Sequence, residues 1–321
     1  MIPTTIRPAT PADLDACAET WREALNDYLP RVGQGEIPAE LGPIRRLHAH
    51  LLATDPERFV VAVREAATGS GERVVGFAAA VVRGPVWFLS MLFVRPGDQG
   101  AGLGRALLER ILPRPGSAAD PTRTVVDRLA VCTDSAQPAS NGLYARLGML
   151  PRMPLWLAVG RPRPGWRAPA LPDGVRAGEV TLGSSADVEP ALQDELDAID
   201  RSAVSFAHVA DHAFIRREGR RLWLLRGSHG ALVGYGYAGA NGRLGPLAVL
   251  DADLVGPLVG HLLTAVEPAG ASAVWLPGAA DGAFAACLDA GLALEGFPVL
   301  FGWTRPFADF SRYLPLSPGL P

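Results

Sequence analysis

The residues best placed to do chemistry form one run, Leu92-Phe93-Val94-Arg95-Pro96-Gly97-Asp98-Gln99-Gly100-Ala101-Gly102-Leu103-Gly104-Arg105. An apolar strand enters a glycine-rich turn, and the turn opens a helix. Glycines at 100, 102 and 104 let main-chain N–H groups approach a ligand with no side chain in the way. The first turn of the helix adds unpaired N–H groups and a partial positive charge. Together these make a cradle for a diphosphate that needs no lysine. Two familiar phosphate loops are excluded. A P-loop requires Gly-Lys-Ser/Thr, and the chain contains no lysine: all 30 of its cationic side chains are arginine. A GxGxxG dinucleotide turn requires glycine where Arg105 stands.

A second stretch follows at Gln137-Pro138-Ala139-Ser140-Asn141-Gly142-Leu143-Tyr144-Ala145-Arg146-Leu147-Gly148-Met149. Helical spacing puts Tyr144 with Leu143 and Leu147, so a core tyrosine and a phenolic proton donor are both open on this evidence alone.

The elements that must position these groups can be traced along the chain. Residues 4–8 suggest a first strand. Thr10-Pro11-Ala12-Asp13 is a helix start, with Leu14, Cys17, Trp21, Leu25 and Tyr28 on one face. A loop over 30–43 and a second helix over 44–53 come next. Strands are expected over 59–64, 74–82 and 86–94, with turns at Gly69-Ser70-Gly71 and Arg83-Gly84-Pro85. The apolar stretch 74–94 carries Arg83, Gly84 and Pro85 in its middle, so it suits two strands and a turn better than a membrane helix. A helix over 104–112, a loop over 113–123, a strand over 127–132, a helix over 139–147 and a strand over 153–159 complete this half. Residues 161–174, rich in Pro and Gly, are the expected linker. The second half repeats the plan: a strand over 175–182, a helix over 188–199, strands over 222–226, 232–238 and 244–250, a helix over 253–265, a strand over 272–276, a helix over 281–290 and a strand over 297–303. The segments 147–149 (LGM) and 290–292 (AGL) echo each other.

A chain of 321 residues with 48% hydrophobic and 20% charged side chains has material for two soluble domains. Its net charge of -3 argues against a nucleic-acid partner. Cys17, Cys132 and Cys287 are scattered and odd in number, which indicates neither a disulfide framework nor a zinc site. No metal is expected. His48 and His50 would point about 200° apart on a helix and are expected to be solvated. The first residues lack a basic-then-apolar leader, so a cytoplasmic location is expected, with no membrane partner.

The first run resembles the coenzyme A loop of the GNAT superfamily of N-acetyltransferases, Gln/Arg-x-x-Gly-x-Gly/Ala, through Gln99-x-x-Gly102-x-Gly104. The second is similar to that family's Asn-x-x-Ala-x-x-x-Tyr-x-x-x-Gly-Phe stretch, with Gln137 where Asn is common and Met149 where Phe is common. The resemblance covers roughly residues 4–160. It implies an α/β (α+β) fold of two tandem GNAT-like domains, each a mixed, mostly antiparallel twisted sheet flanked by helices. Residues 1–160 would bind acetyl-CoA and 175–321 would be a degenerate copy. The pantetheine arm would pair with Leu92, Phe93 and Val94, and the diphosphate would rest on Gln99, Gly100, Ala101, Gly102, Leu103, Gly104 and Arg105. Ser140 and Asn141 would face the coenzyme, and Tyr144 would protonate the leaving thiolate. A main-chain N–H near Leu92 would meet the acetyl oxygen.

The implied activity is acetyl transfer from acetyl-CoA, as co-substrate, to a primary amine on a small molecule or peptide, by direct attack in a ternary complex. A non-catalytic acyl-CoA-binding or partner-binding protein, and an acyltransferase using longer acyl groups, are the alternatives. A homodimer is left open. The sequence departs from the family where a carboxylate often precedes the loop, since Ser90 stands there. Glu36 and Glu40 are expected to be ordinary solvated acids. In the second half, Leu250-Asp251-Ala252-Asp253-Leu254-Val255-Gly256 puts two acids where a diphosphate would sit, and Cys287 takes the place of Tyr144.

Overall fold

A computed structural model of the chain describes residues 4–65, 71–113, 126–181 and 187–321. The expected turn at Gly69-Ser70, most of the loop over 113–123 and the end of the strand near 182 lie outside the described residues. The contacts divide the chain into two compact units, Met1–Val131 with Gly142–Leu147, and Cys132–Asn141 with Gly148–Pro321.

The first unit holds strands β1 (Thr5–Pro8), β2 (Phe59–Glu65), β3 (Glu72–Arg83), β4 (Val86–Val94) and the start of β5 (Arg128–Asp134), in that order across the sheet. All neighbours are antiparallel except β4 and β5, which run parallel. Helices α1 (Leu14–Tyr28), α2 (Gly42–Thr54) and α3 (Leu103–Ile111) flank this sheet. Strand alternation shows how they are divided. The methyl end of Leu107 on α3 closes over Gly76, whereas the next residue, Phe77, meets the ring of His48 on α2. Side chains of successive residues point to opposite faces, so α2 and α3 cover opposite sides of β3. Cover on both sides explains the apolar run of β3 and β4: Val74 to Val81 and Val86 to Leu89 are all buried. The start of α1 follows the expected capping box, with the Thr10 N–H and hydroxyl donating to Asp13. Arg7 clamps the same carboxylate from β1.

One expectation is overturned in α2. His48 and His50 are not solvated: they are 0% and 7% exposed. The helix is packed broadly enough that both faces carrying these rings are covered. His48 packs its edge against Phe59 and Phe77.

In the second unit, β7 (Arg176–Glu179), β8 (Arg220–Arg226), β9 (Leu232–Gly239), β10 (Leu244–Val249) and β13 (Tyr313–Leu314) form a five-stranded sheet in the order β13-β10-β9-β8-β7. A further trio sets β6 (Leu150–Gly160) between β11 (Ser272–Pro277) and β12 (Ala293–Trp303), antiparallel to both. Thus the strand nearest the expected 160 boundary is hydrogen bonded on both edges to strands from the end of the chain. Helices α5 (Pro190–Val204), α6 (Val209–Arg217), α7 (Val255–Ala265) and α8 (Asp281–Ala290) complete the unit. Residues 161–174 lack regular structure, yet they are pinned. Arg163 N donates to Ala290 O, and Arg163 and Trp166 both reach Asp289. Trp166 and Leu171 pack on the core formed by α7, α8 and β11. Among the described residues no helix is long and apolar enough to cross a membrane.

Candidate functional site

The parallel ladder between β4 and β5 runs from Val86–Arg128 to Leu89–Val131 and stops there among the described residues. On its other edge β4 stays paired with β3 as far as Val94–Gly76, after a bulge between Leu89 and Met91. Leu92, Phe93 and Val94 therefore stay in strand conformation while their β5-side edge has no strand partner among the described residues. They are also half-buried, whereas Val86 to Met91 are buried. An unladdered edge of ordered backbone is what an extended, amide-bearing ligand can pair with.

The turn that follows is held at its root. Arg95 donates its main-chain N–H to Val75 O and its Nε to Val74 O, and its guanidinium pairs with Glu23 of α1. Asp98 pairs with Arg64 of β2. Gln99 turns back and donates to Val94 O at 2.9 Å. These clamps leave the tip open. Gly100 and Gly102 have φ of +82° and +81°, in the left-handed region that glycine tolerates. A Cβ at either would meet nothing within 4 Å. Gly102 is the N-cap of α3 and offers no side-chain cap. The first helical hydrogen bond is Ala106 N to Gly102 O, so the N–H groups of Leu103, Gly104 and Arg105 are the helix's unpaired donors. Ala101 and Arg105 are exposed, and Arg105 pairs with the exposed Glu109 at 3.3 Å. Beside the clamp, a polar cleft of about 650 Å³ opens between α1, Glu36, Arg73 and the Arg95–Asp98 turn. Glu36 is exposed and lines this cleft, and Glu40 accepts the N–H of Gly42 at 2.8 Å.

Tyr144 lies on α4 (Pro138–Ala145) and is 5% exposed. Asn141 sits one turn before it. Its amide nitrogen donates to Asp134 O and Gln137 O, both at 2.9 Å, which closes the turn between β5 and α4. Its side-chain oxygen is buried and has no hydrogen-bond partner among the described residues. Ser140 is half-buried. Sequence reasoning missed Asp134 at the end of β5, where burial pushes the carboxyl up to about 6. Arg95 and Asp98 were also missed as clamps; their partners lie 20 or more residues away. Burial raises the Cys132 thiol well above its ordinary value, which removes the thiolate a ping-pong route would need. Ser90 is 9% exposed and supplies no base.

The equivalent place in the second half is closed. The Asp251 carboxylate accepts the Asp253 N–H and caps the short turn before α7. Gly256 at the start of α7 touches Gly282 at the start of α8: a Cβ there would lie 2.9 Å from Gly282 O. Burial pushes the Cys287 thiol up to about 12.

Comparison with known proteins bears on the fold that carries this geometry. Residues 18–149 match the model of the acetyltransferase (GNAT) family. No curated protein matches the chain in sequence. Solved structures share the fold. A provisionally assigned acetyltransferase from Pyrococcus horikoshii superposes with a TM-score of 0.72 at 16% identity, over 99% of this chain and 96% of that one. A GCN5-related N-acetyltransferase from Sphaerobacter thermophilus gives 0.60 at 17% identity, over 97% and 100%. A tandem GNAT protein from the clavulanic acid biosynthesis pathway gives 0.54 at 16% identity, over 94% and 98%. Residues 18–149 thus resemble the acetyltransferase (GNAT) family, and the fold of the chain is shared with a tandem GNAT protein.

Proposed function

We propose that the chain is an acyl-CoA-dependent N-acetyltransferase that binds acetyl-CoA in its first unit and passes the acetyl group to a primary amine. The observation that carries this reading is the conjunction at β4. The β4–β5 ladder ends at Leu89–Val131, and the freed edge leads straight to the open Gly100–Arg105 turn. The freed edge suits the two amides of a pantetheine arm, and the helix N-terminus suits its diphosphate. The neutral amine attacks the thioester carbonyl, the C–S bond breaks, Tyr144 gives its proton to the departing sulfur, and the proton lost by the amine nitrogen passes through water to restore the phenol. A main-chain N–H of the freed edge stabilises the oxyanion. Direct attack is favoured because the three thiols are all raised by burial.

The closed second half supports one coenzyme per chain. Titration calorimetry with acetyl-CoA, repeated on Gly102→Glu/Gly104→Glu, tests the reading. A single site abolished by the two substitutions supports it, and a screen of amine acceptors follows. Two sites would show that the second half binds coenzyme as well. Absence of binding by the wild-type chain would refute the proposal. Binding without turnover on any amine would leave an acyl-CoA-binding protein, the reading that Ser90 in place of a strand carboxylate favours. Comparing acetyl-, propionyl- and succinyl-CoA fixes the acyl length.

A further inference from the structure

The second unit contains a cluster that the acetyl-transfer reading does not use. Asp200 lies on α5, His208 is the N-cap residue of α6, and His212 is one turn further on. A spacing of four residues puts both imidazoles on one side of α6. His208 Nδ1 and His212 Nε2 each stand 3.0 Å from the same oxygen, Asp200 Oδ2. The three side chains are 0–1% exposed, and their donor atoms lie within 4.8 Å of one another.

The outer atoms are also engaged. His212 Nδ1 meets the Tyr237 hydroxyl at 2.9 Å, and Arg216 donates to that hydroxyl at 3.2 Å. His208 Nε2 meets Pro321 O at 3.1 Å and the Tyr313 hydroxyl at 3.2 Å. Asp200 Oδ1 accepts from the Tyr235 hydroxyl. The Pro321 oxygen accepts, so a proton on His208 Nε2 suits that contact, with the Tyr313 hydroxyl as a second partner of the same nitrogen. In the neutral ring Nδ1 then turns a lone pair toward a carboxylate oxygen. That oxygen also accepts the His208 main-chain N–H at 2.9 Å, and two electron-rich atoms at 3.0 Å, wholly out of water, are relieved by a proton or a metal ion between them.

We propose that Asp200, His208 and His212 hold one divalent metal ion of the zinc class. Two imidazoles and a carboxylate are borderline ligands that zinc accepts. Tetrahedral bonds of about 2.0–2.2 Å separate neighbouring ligand atoms by roughly 3.3–3.6 Å, so the two 3.0 Å edges would open by a few tenths of an ångström on binding. Bidentate binding by Asp200 would bring the donors to four. Each ligand is oriented by a second partner, as metal sites require. The site is closed to solvent, so its role is structural: it ties α5, α6, β9 and the segment ending at Pro321 together. It is independent of the coenzyme reading.

The test uses the full chain, unfolded with chelator and refolded with excess Zn²⁺ or Co²⁺, followed by gel filtration and elemental analysis. The expected result is about one metal per chain, ligand-field bands from the Co²⁺ form, and a higher melting temperature than the metal-free protein. Asp200→Asn and His212→Gln should lose the metal. If those variants fail to fold, the wild-type metal content and Co²⁺ spectrum decide alone. A refolded wild-type chain with less than roughly one-tenth of a metal per chain and no Co²⁺ bands would overturn the proposal, leaving protons as the positive centres.

Discussion

His48→Leu should make the first unit more stable at neutral pH and flatten its response to acid. The imidazole is fully buried, and neither ring nitrogen has a hydrogen-bond partner among the described residues. Its neighbours are the edges and faces of Phe59 and Phe77, with ring centroids 6.0 and 5.1 Å away. Burial pushes the ring down to about 4 from its ordinary 6.5. The sign follows from linkage. The unfolded chain takes up the proton first as pH falls, so folding stability is full above 6.5 and is lost progressively toward 4. A gap of 2.5 pH units at 1.36 kcal/mol each amounts to about 3 kcal/mol across that window. At neutral pH an unpaired buried polar group costs a further 1–3 kcal/mol or so, which leucine would relieve. Urea unfolding followed by Trp21 and Trp87 fluorescence, from about pH 7 to about pH 4, would measure both effects. Equal acid slopes in wild type and variant, or a variant less stable throughout, would refute the account of an unpaired neutral ring.

Three other outcomes are expected. Tyr144→Phe should lower turnover by ten-fold or more, within the roughly 10²–10⁴ range of general acid catalysis, with coenzyme affinity by calorimetry little changed; equal turnover would remove Tyr144 from the chemistry. Gly102→Ala places a Cβ at φ +81° in open space, so it should cost about 1–2 kcal/mol of backbone strain without a clash, seen as a lower melting temperature and weaker acetyl-CoA binding. Asp134 works against folding at neutral pH, because its raised carboxyl binds a proton more tightly folded than unfolded. Asp134→Asn should therefore stabilise the chain by about 2–3 kcal/mol at pH 7, and the gain should vanish below about pH 4; an unchanged urea midpoint at pH 7 would contradict this.

The parts of this fold that sequence reveals are those whose cause is local. Gly100 and Gly102 announce themselves because only glycine adopts a φ near +80° without strain. The strands β3 and β4 are legible as unbroken apolar runs because helices cover both of their faces. What stays hidden depends on partners distant in the chain. Nothing in Leu150–Gly160 says that its two edges will pair with residues 272–277 and 293–303. His48 and His50 look like solvent residues until the packing around α2 is known. The same distance hides the chemistry that burial creates. Asp134 is an ordinary acid in sequence, and only its covered position brings its titration close to neutrality. Asp200, His208 and His212 are separated by eight and four residues with no ligand-like motif, and one fold of α5 onto α6 joins them on a single oxygen.

The two halves make the same point from opposite directions. In the first, glycines before α3 leave its leading N–H groups facing open space. In the second, Asp251 supplies the cap itself and Gly256 presses on Gly282, so a similar strand-to-helix turn has no room for a ligand. One architecture therefore yields an open turn or a packed one according to whether its glycines open a space or close a contact.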